Sequence, residues 1–306
     1  MLTTNSGNMF CFFNRLWIFN NRPKKADTVS IIGYSHELTG KECQDSSVSW
    51  QSEKYSSIII SDGHGGEKYI RSAKGSQFAC SIGKYLISSF MDTLLSDSRL
   101  YDDFTLSPAK QDELLSRLER SIIQHWNQKV ESDLNEFPIE NDERYLLLSD
   151  KDKQSVLRAK AKAYGATFIA AVVAGNCFFI LKLGDGNVCL RKRGKARLFY
   201  GEQNELEDDR LQFNLTTSLC SSEADKEFKH CFVNTKKFGS IGGLILTTDG
   251  IINSYPREQS YLHFIGNIFK SYKRNTKESA HSELSDFLPR LSKKGSGDDL
   301  TVGIIF

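Results

Sequence analysis

The sequence predicts an α+β domain in which two packed antiparallel sheets carry helices on their outer faces. Short apolar runs recur as strands joined by turns, for example residues 166–173 and 176–183 around Ala174 and Gly175. Two stretches with helical spacing, residues 97–163 and 261–291, separate the strand pairs in the middle and near the end of the chain. Strand pairs interrupted by two helical blocks favour a layered sandwich.

The 306 residues are predicted to form a single domain, residues 28–306, after an extension and linker, residues 1–27. Acidic motifs are spread from Asp45 to Asp299, so no cut leaves a complete set of them in either half. The chain has 40 basic and 38 acidic residues, and its net charge of +2 gives no reason to expect a nucleic acid partner.

The seven cysteines form no Cys-x-x-Cys pair and lie largely among apolar neighbours. This usage is typical of a reducing compartment, so we expect a cytoplasmic protein. The histidines are equally scattered, which argues against a structural zinc site.

The extension contains an aromatic run, residues 10–19, that is too short to span a bilayer and is broken by Arg15. It lacks the basic start and small-residue cleavage site of a signal peptide. We interpret it as an extension that packs on its own domain or stays mobile, and a membrane partner is not expected. The alternative is a shallow membrane or partner anchor. Residues 20–27 are interpreted as the linker.

In the first half of the domain, we expect a strand from Thr28, a turn through residues 33–40, and a strand that ends at Trp50. The central strand that begins at residue 58 and a helix to about Leu95 follow. Ser107 and Pro108 are a favourable helix start. The apolar stripe of the helix after them should pack on a sheet face; it consists of Leu114, Leu115, Leu118, Ile122, Trp126 and Val130.

In the second half, residues 191–197 are strongly basic with a central glycine. A patch for phosphate or nucleic acid is one interpretation, but a solvated hairpin tip explains the pattern better. Residues 201–238 are polar and indicate no element, residues 261–291 are predicted to form one long helix, and the last strand ends at Phe306.

The most informative stretch is residues 58–66, where three isoleucines are followed by Ser61, Asp62, Gly63, His64, Gly65 and Gly66. The β-branched run predicts a buried strand. The glycines allow a sharp turn and a close approach of the backbone to a ligand. By itself an Asp-Gly pair after a strand is most often only a turn.

The same arrangement recurs elsewhere. Asp249 and Asp185 each follow an apolar strand, while Asp45 and the pair Asp298-Asp299 each precede one. If the strands lie side by side in antiparallel sheets, five separate carboxylates, one from each of these four segments and one from residues 58–66, fall at the same end. Unpaired acids repel one another unless cations lie among them. Oxygen ligands select hard ions such as Mg²⁺ or Mn²⁺.

These motifs together resemble the metal-dependent type 2C (PPM) serine/threonine protein phosphatases, from about Ile31 to Phe306. The resemblance rests on Asp-Gly-His-Gly-Gly at 62–66, Gly-Ala-Thr at 165–167, Leu-Gly-Asp-Gly at 183–186, Thr-Asp-Gly at 248–250 and Gly-Asp-Asp-Leu-Thr-Val at 297–302. Gly-Tyr-Ser-His at 33–36, followed by Cys-Gln-Asp at 43–45, is similar to the bacterial branch of the family.

The resemblance implies a four-layer α-β-β-α sandwich with two Mg²⁺ or Mn²⁺ ions in the cleft at one end of the sheets, and a third, weaker ion. It implies ion contacts from the Asp62 carboxylate, which bridges the two ions, the Gly63 carbonyl, Asp249, Asp298, Asp45 through water, and Asp185 at the third ion. A metal-bridging hydroxide would attack the phosphorus directly.

Asp62 and His64 are the predicted catalytic residues. His64, two residues from the bridging acid, could protonate the leaving serine or threonine oxygen. The alternative is a histidine that only closes the glycine turn.

Phosphate capture departs from the family pattern, which often has an arginine shortly before the first acid. Between Arg22 and Asp45 the cationic candidates are His36 and Lys41. The Ser-Arg pair that commonly follows the third motif is Gly186-Asn187.

The predicted function is a cytoplasmic metal-dependent phosphatase that acts on phosphoserine and phosphothreonine and opposes a cognate kinase. Its partner would be a phosphoprotein substrate, and we expect a monomer. The alternative, motivated by the missing arginine, is a catalytically weak scaffold that binds a kinase or another partner.

Overall fold

The structure is a computed structural model that describes residues 24–199 and 217–306. The strands in this part form two five-stranded antiparallel sheets, numbered here in chain order. The first sheet contains, in spatial order, β1 (Ala26–Ile31), β10 (Leu300–Ile305), β9 (Ile241–Thr247), β6 (Asn187–Lys192) and β7 (Lys195–Leu198). The second contains β2 (Ser46–Gln51), β3 (Ser56–Ser61), β4 (Phe168–Ala174), β5 (Cys177–Leu183) and β8 (Lys229–Asn234).

The helices of the described residues precede, separate and follow these strands. They are α1 (Tyr34–Thr39), α2 (Ser72–Ser96), α3 (Ser98–Leu106), α4 (Pro108–Glu136), α5 (Glu143–Leu146), α6 (Asp150–Arg158), α7 (Ala224–Glu227), α8 (Thr235–Phe238), α9 (Asp249–Asn253), α10 (Glu258–Arg274) and α11 (Lys277–Lys294). Two 3₁₀ turns cover Ile139–Asn141 and Lys160–Tyr164.

Three apolar layers hold the sheets and helices together. Alternate side chains such as Ile58, Ile60 and Leu244 fill the space between the two sheets. Helices α2 and α4 cover the outer face of the second sheet, and α10 and α11 cover the outer face of the first. The predicted α-β-β-α sandwich is confirmed.

Helix α4 begins where the sequence predicted. Ser107 accepts a hydrogen bond from the Lys110 amide, and Pro108 occupies the first turn, where its missing N–H costs nothing. Every residue of the predicted apolar stripe is buried. Trp126, fully buried, donates from Nε1 to the Gly75 carbonyl of α2 at 3.0 Å. The stripe therefore fixes α4 against α2.

The basic segment is the predicted hairpin. Strands β6 and β7 pair in register up to Lys192 and Lys195, and Arg193 and Gly194 between them both have positive φ. Two such residues are typical of a type I′ turn, whose twist matches the flanking strands.

Two predictions near the start of the domain are wrong in detail. Strand β1 begins at Ala26, inside the predicted linker, because Asp27 is buried and accepts a hydrogen bond from the Tyr272 hydroxyl at 2.7 Å. The segment predicted as a turn contains the short helix α1, which ends at Gly40 with a φ of 65°.

The predicted single helix over residues 261–291 is instead two helices, α10 and α11. The helical spacing of the apolar residues continues across Asn275 and Thr276, but Thr276 accepts a hydrogen bond from the Ser279 amide and so starts a new helix. In the region without predicted elements, residues 217–238 contain β8, which completes the second sheet.

The aromatic run at residues 10–19 lies outside the described residues, and its interpretation stays a prediction. Among the helices described, none has the length and apolar character needed to cross a membrane. The six cysteines in the described ranges are all free thiols.

A histidine on β8 links that edge strand to α4. His230 Nδ1 lies 2.9 Å from Oε1 of buried Glu119, and its Nε2 lies 3.4 Å from Asp112 Oδ1. Burial alone would lower the pKa of His230, but the hydrogen bond and charge of Glu119, with the charge of Asp112, outweigh burial and raise it.

We expect the His230 contact to stabilise the fold fully below the unfolded pKa of about 6.5 and to lose this contribution as pH rises through the raised folded pKa. Each unit of pKa difference corresponds to about 1.4 kcal/mol. Urea midpoints of wild type and His230→Gln, measured from pH 6 to 9, should therefore converge as pH rises. A constant gap between the two curves would contradict this role.

Candidate active site

The site is built where the β3 strand ends. Beyond its last residue, Ser61, the main chain continues to pair with the segment before β4. The Thr167 amide donates to the Asp62 carbonyl at 2.8 Å, and the Asp62 amide donates to Thr167 Oγ1 at 2.9 Å. The His64 amide then donates to the Gly165 carbonyl at 3.0 Å. The backbone around Asp62 and His64 is therefore fixed before any ligand binds.

Gly63 is required by close backbone packing. Its amide donates to the Gln44 carbonyl at 3.2 Å. A Cβ atom at Gly63 would lie 2.6 Å from that carbonyl oxygen and 2.7 Å from the Ser72 carbonyl oxygen. A side chain would force the glycine loop away from both neighbours.

Asp45, at the start of β2, is buried and held by the first sheet. Thr248 Oγ1 donates to Asp45 Oδ2 at 2.9 Å and accepts from the Thr301 amide at 3.0 Å. Burial raises the pKa of Asp45 well above its usual value, and the charge of Asp299 adds to the rise. The hydrogen bond from Thr248 to Asp45 therefore links the end of β9, in the first sheet, to the start of β2, in the second sheet.

Asp62 and Asp249 lie against each other, with their side chains within hydrogen-bonding reach. Burial and the charges of Asp45, Asp249, Asp298 and Asp185 raise the pKa of Asp62 well above its usual value. Burial and the charge of Asp185 likewise raise the pKa of Asp249. Two carboxylates in contact need a proton or a cation between them.

The adjacent acids before β10 have different roles. The buried Asp299 carboxylate accepts from the Gly33 amide at 2.5 Å and from the Gln44 amide at 2.6 Å. Asp298 is exposed as a residue, but its carboxyl group is partly desolvated by the surrounding protein, and this desolvation and the charge of Asp299 raise its pKa. Asp299 is thus occupied in joining chain segments, whereas Asp298 is available to a ligand.

Asp185 follows β5, is half-buried, and belongs to the same end of the molecule. Its charge raises the pKa values of Asp62 and Asp249. The structure therefore brings together the five acids that the sequence singled out. In the described ranges, however, no three His, Cys, Asp or Glu side chains are arranged to hold a metal ion. The backbone gathers the acids, while their side chains contact each other and nearby hydroxyl groups.

His64 is buried beside the acids, and its ring meets the Tyr69 ring edge to face at 4.8 Å. Burial lowers the pKa of His64, and the charge of Asp185 only partly offsets this. The imidazole is therefore mostly neutral at pH 7 in the free protein.

The two cations predicted near the phosphate, His36 and Lys41, lie in and just after α1. His36 Nδ1 lies 3.0 Å from Asp299 Oδ1. This hydrogen bond raises the pKa of His36 and, with the two backbone amides, outweighs burial and lowers the pKa of Asp299. Lys41 is exposed, and its amide donates to the His36 carbonyl. The His36 charge is thus already balanced by Asp299.

Gln44 was missed as a site residue. Its Nε2 donates to Ser72 Oγ at 2.7 Å, while its Oε1 is buried without a hydrogen-bond partner and would lie 3.7 Å from a Cβ atom placed on Gly65. The sequence shows that Gln44 precedes Asp45, but nothing in it indicated that the Gln44 side chain is buried and bonded to Ser72.

The donor set fits divalent cations. It consists of carboxylates and a carbonyl, the hard ligands that Mg²⁺ and Mn²⁺ prefer. The unpartnered Gln44 Oε1 could accept from water on an ion, and positive charge would relieve the repulsion that raises the acid pKa values.

The comparisons with known proteins agree with this arrangement. The sequence pattern of protein phosphatase 2C matches residues 32–289, so the chain belongs to this family. Its members are hydrolases that act on serine and threonine phosphate esters and use divalent metals. Nothing among the curated proteins matches the chain.

Several solved structures share the fold. A bacterial serine phosphatase is 12% identical over 92% of this chain and 97% of its own, with a TM-score of 0.52. Serine/threonine phosphatase Stp1 from Staphylococcus aureus is 14% identical, with coverages of 92% and 94% and a TM-score of 0.51. PppA, a key regulatory component of T6SS in Pseudomonas aeruginosa, is 12% identical, with coverages of 92% and 96% and a TM-score of 0.51.

We expect Asp62→Asn to raise the melting temperature of the metal-free protein at pH 7, because it removes one of the mutually repelling charges. A gain of about 1 kcal/mol would correspond to roughly 2–4 °C. Since the folded pKa of Asp62 is raised, the gain should disappear as pH falls toward the unfolded pKa of about 4. Mn²⁺ should then stabilise wild type more than the variant.

The control is Asp286→Asn, an exposed acid on α11. Calorimetry with and without Mn²⁺ measures both effects. Equal melting temperatures for Asp62→Asn and wild type under all conditions would contradict a shared charge site.

Proposed function

We propose that the protein is a phosphoserine and phosphothreonine phosphatase that depends on two Mg²⁺ or Mn²⁺ ions, with a third, weaker ion. The observation that supports this is the meeting of five carboxylates, from separate chain segments, at one end of the two sheets of a phosphatase 2C domain. Such a concentration of acids is costly without cations.

Different residues of the chain would bind different ions. Asp62 would bridge, the Gly63 carbonyl would bind one ion, and Asp249 and Asp298 the other. Asp45 would act through water because Thr248 already occupies one of its oxygens, and Asp185 would serve the third ion. When bound, the ions would neutralise phosphate charge and lower the pKa of a water molecule.

His64 would hold the proton for the leaving oxygen. Burial keeps the pKa of His64 low in the free protein, but the negative charge of an incoming phosphate favours the protonated ring. The proton is thus present when the serine or threonine oxygen needs it. Contact with the Tyr69 ring would keep the imidazole in position.

The substrate would be a phosphoprotein modified by a cognate kinase, and the protein would act as a cytoplasmic monomer. The unpaired cysteines of the described residues support the cytoplasmic location. The alternative is a catalytically weak scaffold that binds a kinase. The next experiment distinguishes this scaffold from a phosphatase.

We expect turnover of a phosphothreonine peptide that rises with Mn²⁺, stops with chelator and returns when metal is added. Asp62→Asn should reduce kcat by at least about 100-fold, because it removes the acid shared by both ions. Saturation by a short peptide should be poor and should improve with a folded phosphoprotein that supplies remote contacts.

The measurement is a steady-state titration at several Mn²⁺ concentrations, with Asp286→Asn as the matched control. If the folded protein binds Mn²⁺ but turns over no phosphopeptide faster than Asp62→Asn, the scaffold function replaces the phosphatase.

His64→Gln should distinguish proton donation from turn closure. A seryl alkoxide needs a proton to leave, whereas an activated aryl oxide does not. We expect kcat to fall roughly 100-fold on a phosphopeptide and far less on an aryl phosphate. The control is His125→Gln on the exposed face of α4. Equal losses on both substrates would indicate a role in the turn only.

A further inference from the structure

A half-buried lysine on β5 has no evident structural use. Ile180 packs between the two sheets, while Leu181 and Leu183 pack under the helices of the second sheet. Because side chains alternate along a strand, Lys182 faces the space between the sheets, like Ile180. Its register partner Ile169 belongs to the same inner layer.

Lys182 is the last inner residue of β5 before the site. In the second sheet it lies in one row with Ile169 and Ile60, on neighbouring strands. Asp62 follows Ile60 by two residues and faces the same way. Lys182 and Asp62 are separated by two strand-to-strand spacings across the sheet and by two residues in the direction of β3. Their Cα atoms are therefore about 12 Å apart. The four-carbon stem of the lysine can bring its ammonium group toward the acids.

The Lys182 ammonium group has no fixed partner. Within residues 24–199 and 217–306, no hydrogen bond or ion pair to it is formed, although the charge of Asp185 acts on it. Burial lowers the pKa of Lys182. By contrast, His36 is paired with Asp299 and Lys68 lies 5.2 Å from the centre of the Tyr69 ring. A partly buried cation without a partner is costly and indicates a missing anion.

We propose that Lys182 binds the phosphate oxygens of the substrate, and those of the inorganic phosphate product, from the floor of the cleft. The proposal rests on the proposed phosphatase function and assigns to Lys182 the phosphate contact for which an arginine is lacking near Asp45. A lysine acts as a point charge without the two-pronged grip of a guanidinium group. The Lys182 ammonium group would contact a phosphate that binds next to Asp62 and Asp185.

The competing role is charge balance, in which Lys182 only offsets Asp185. The two roles differ in what they predict for anions and cations. Removing a phosphate contact weakens phosphate and leaves the metals little changed. Removing a balancing cation tightens the metals and leaves phosphate little changed.

The test uses the full chain with Lys182→Met, Lys182→Arg and, as control, Lys195→Met at the start of β7, beside the hairpin turn and away from the acids. With Lys182→Met we expect KM for a phosphothreonine peptide and the inhibition constant of inorganic phosphate to rise together, roughly 10- to 100-fold, as for one lost hydrogen bond between charged groups. Lys182→Arg should restore most of the affinity, and Lys195→Met should match wild type.

A measurement on the wild type alone keeps the test valid if Lys182→Met does not fold. With Mn²⁺ present, inorganic phosphate should slow acylation of Lys182, detected by mass spectrometry, and leave Lys195 unaffected. Equal labelling of Lys182 with and without phosphate would overturn the proposal, as would an unchanged inhibition constant with a lowered Mn²⁺ half-saturation in Lys182→Met.

The proposed function can fail separately. If the protein turns over no phosphopeptide, calorimetric binding of inorganic phosphate with Mn²⁺ still tests Lys182. Binding that is lost in Lys182→Met supports the lysine as an anion site in a non-catalytic protein. Absence of phosphate binding to wild type overturns it.

Discussion

The main-chain pairing of Asp62 with Thr167 is the interaction on which the site depends. Strand β3 is buried on both faces and lies between β2 and β4, so its direction is set by the core. The pairing extends that direction past the end of the strand to Asp62 and His64. A carboxylate on a free loop would have to be ordered by its ligand, whereas the position of Asp62 is fixed by folding.

Electrostatic cost is the second constraint. In the described part of the chain, Asp62, Asp249 and Asp298 have no ion pair with a lysine, arginine or histidine. Their negative charge is therefore kept available, at a cost to the stability of the metal-free fold. Asp299 has the opposite arrangement, since two backbone amides and His36 hold its charge. Asp299 therefore joins chain segments, whereas Asp62, Asp249 and Asp298 have no cationic side chain paired with them in the described part of the chain.

The sequence predicted the layers, and indicated which segments carry the acids, because both depend on local patterns. Apolar alternation identified β3, β4 and β5, and Asp-Gly after a strand marked Asp62 and Asp249. Strand β8 was missed because it is an edge strand with polar residues such as Lys229 and His230, so burial leaves little pattern in it. The break at Thr276 was missed because a single capping residue interrupts an otherwise continuous helical period.

Properties that depend on distant residues could not be predicted. The pairing of His36 with Asp299 joins residues 263 positions apart. The orphaned oxygen of Gln44 depends on Ser72 and on the glycine loop. In the sequence, Lys182 is a single lysine within an apolar strand. Only the register of β3, β4 and β5 places it on the same side of the sheet as the acids.

The contacts that fasten the glycine loop have a consequence for sequence divergence. Gly63 is held by the Gln44 carbonyl, His64 by the Gly165 carbonyl, and the Asp62 carbonyl by the Thr167 amide. Each of these bonds joins peptide groups, which every residue except proline can supply in full. Apart from the glycine at 63, where no side chain fits, and the Thr167 hydroxyl, few residue types beyond the acids themselves need to be retained for the loop to keep its shape. A fold shared at 12–14% identity is therefore what such a scaffold permits.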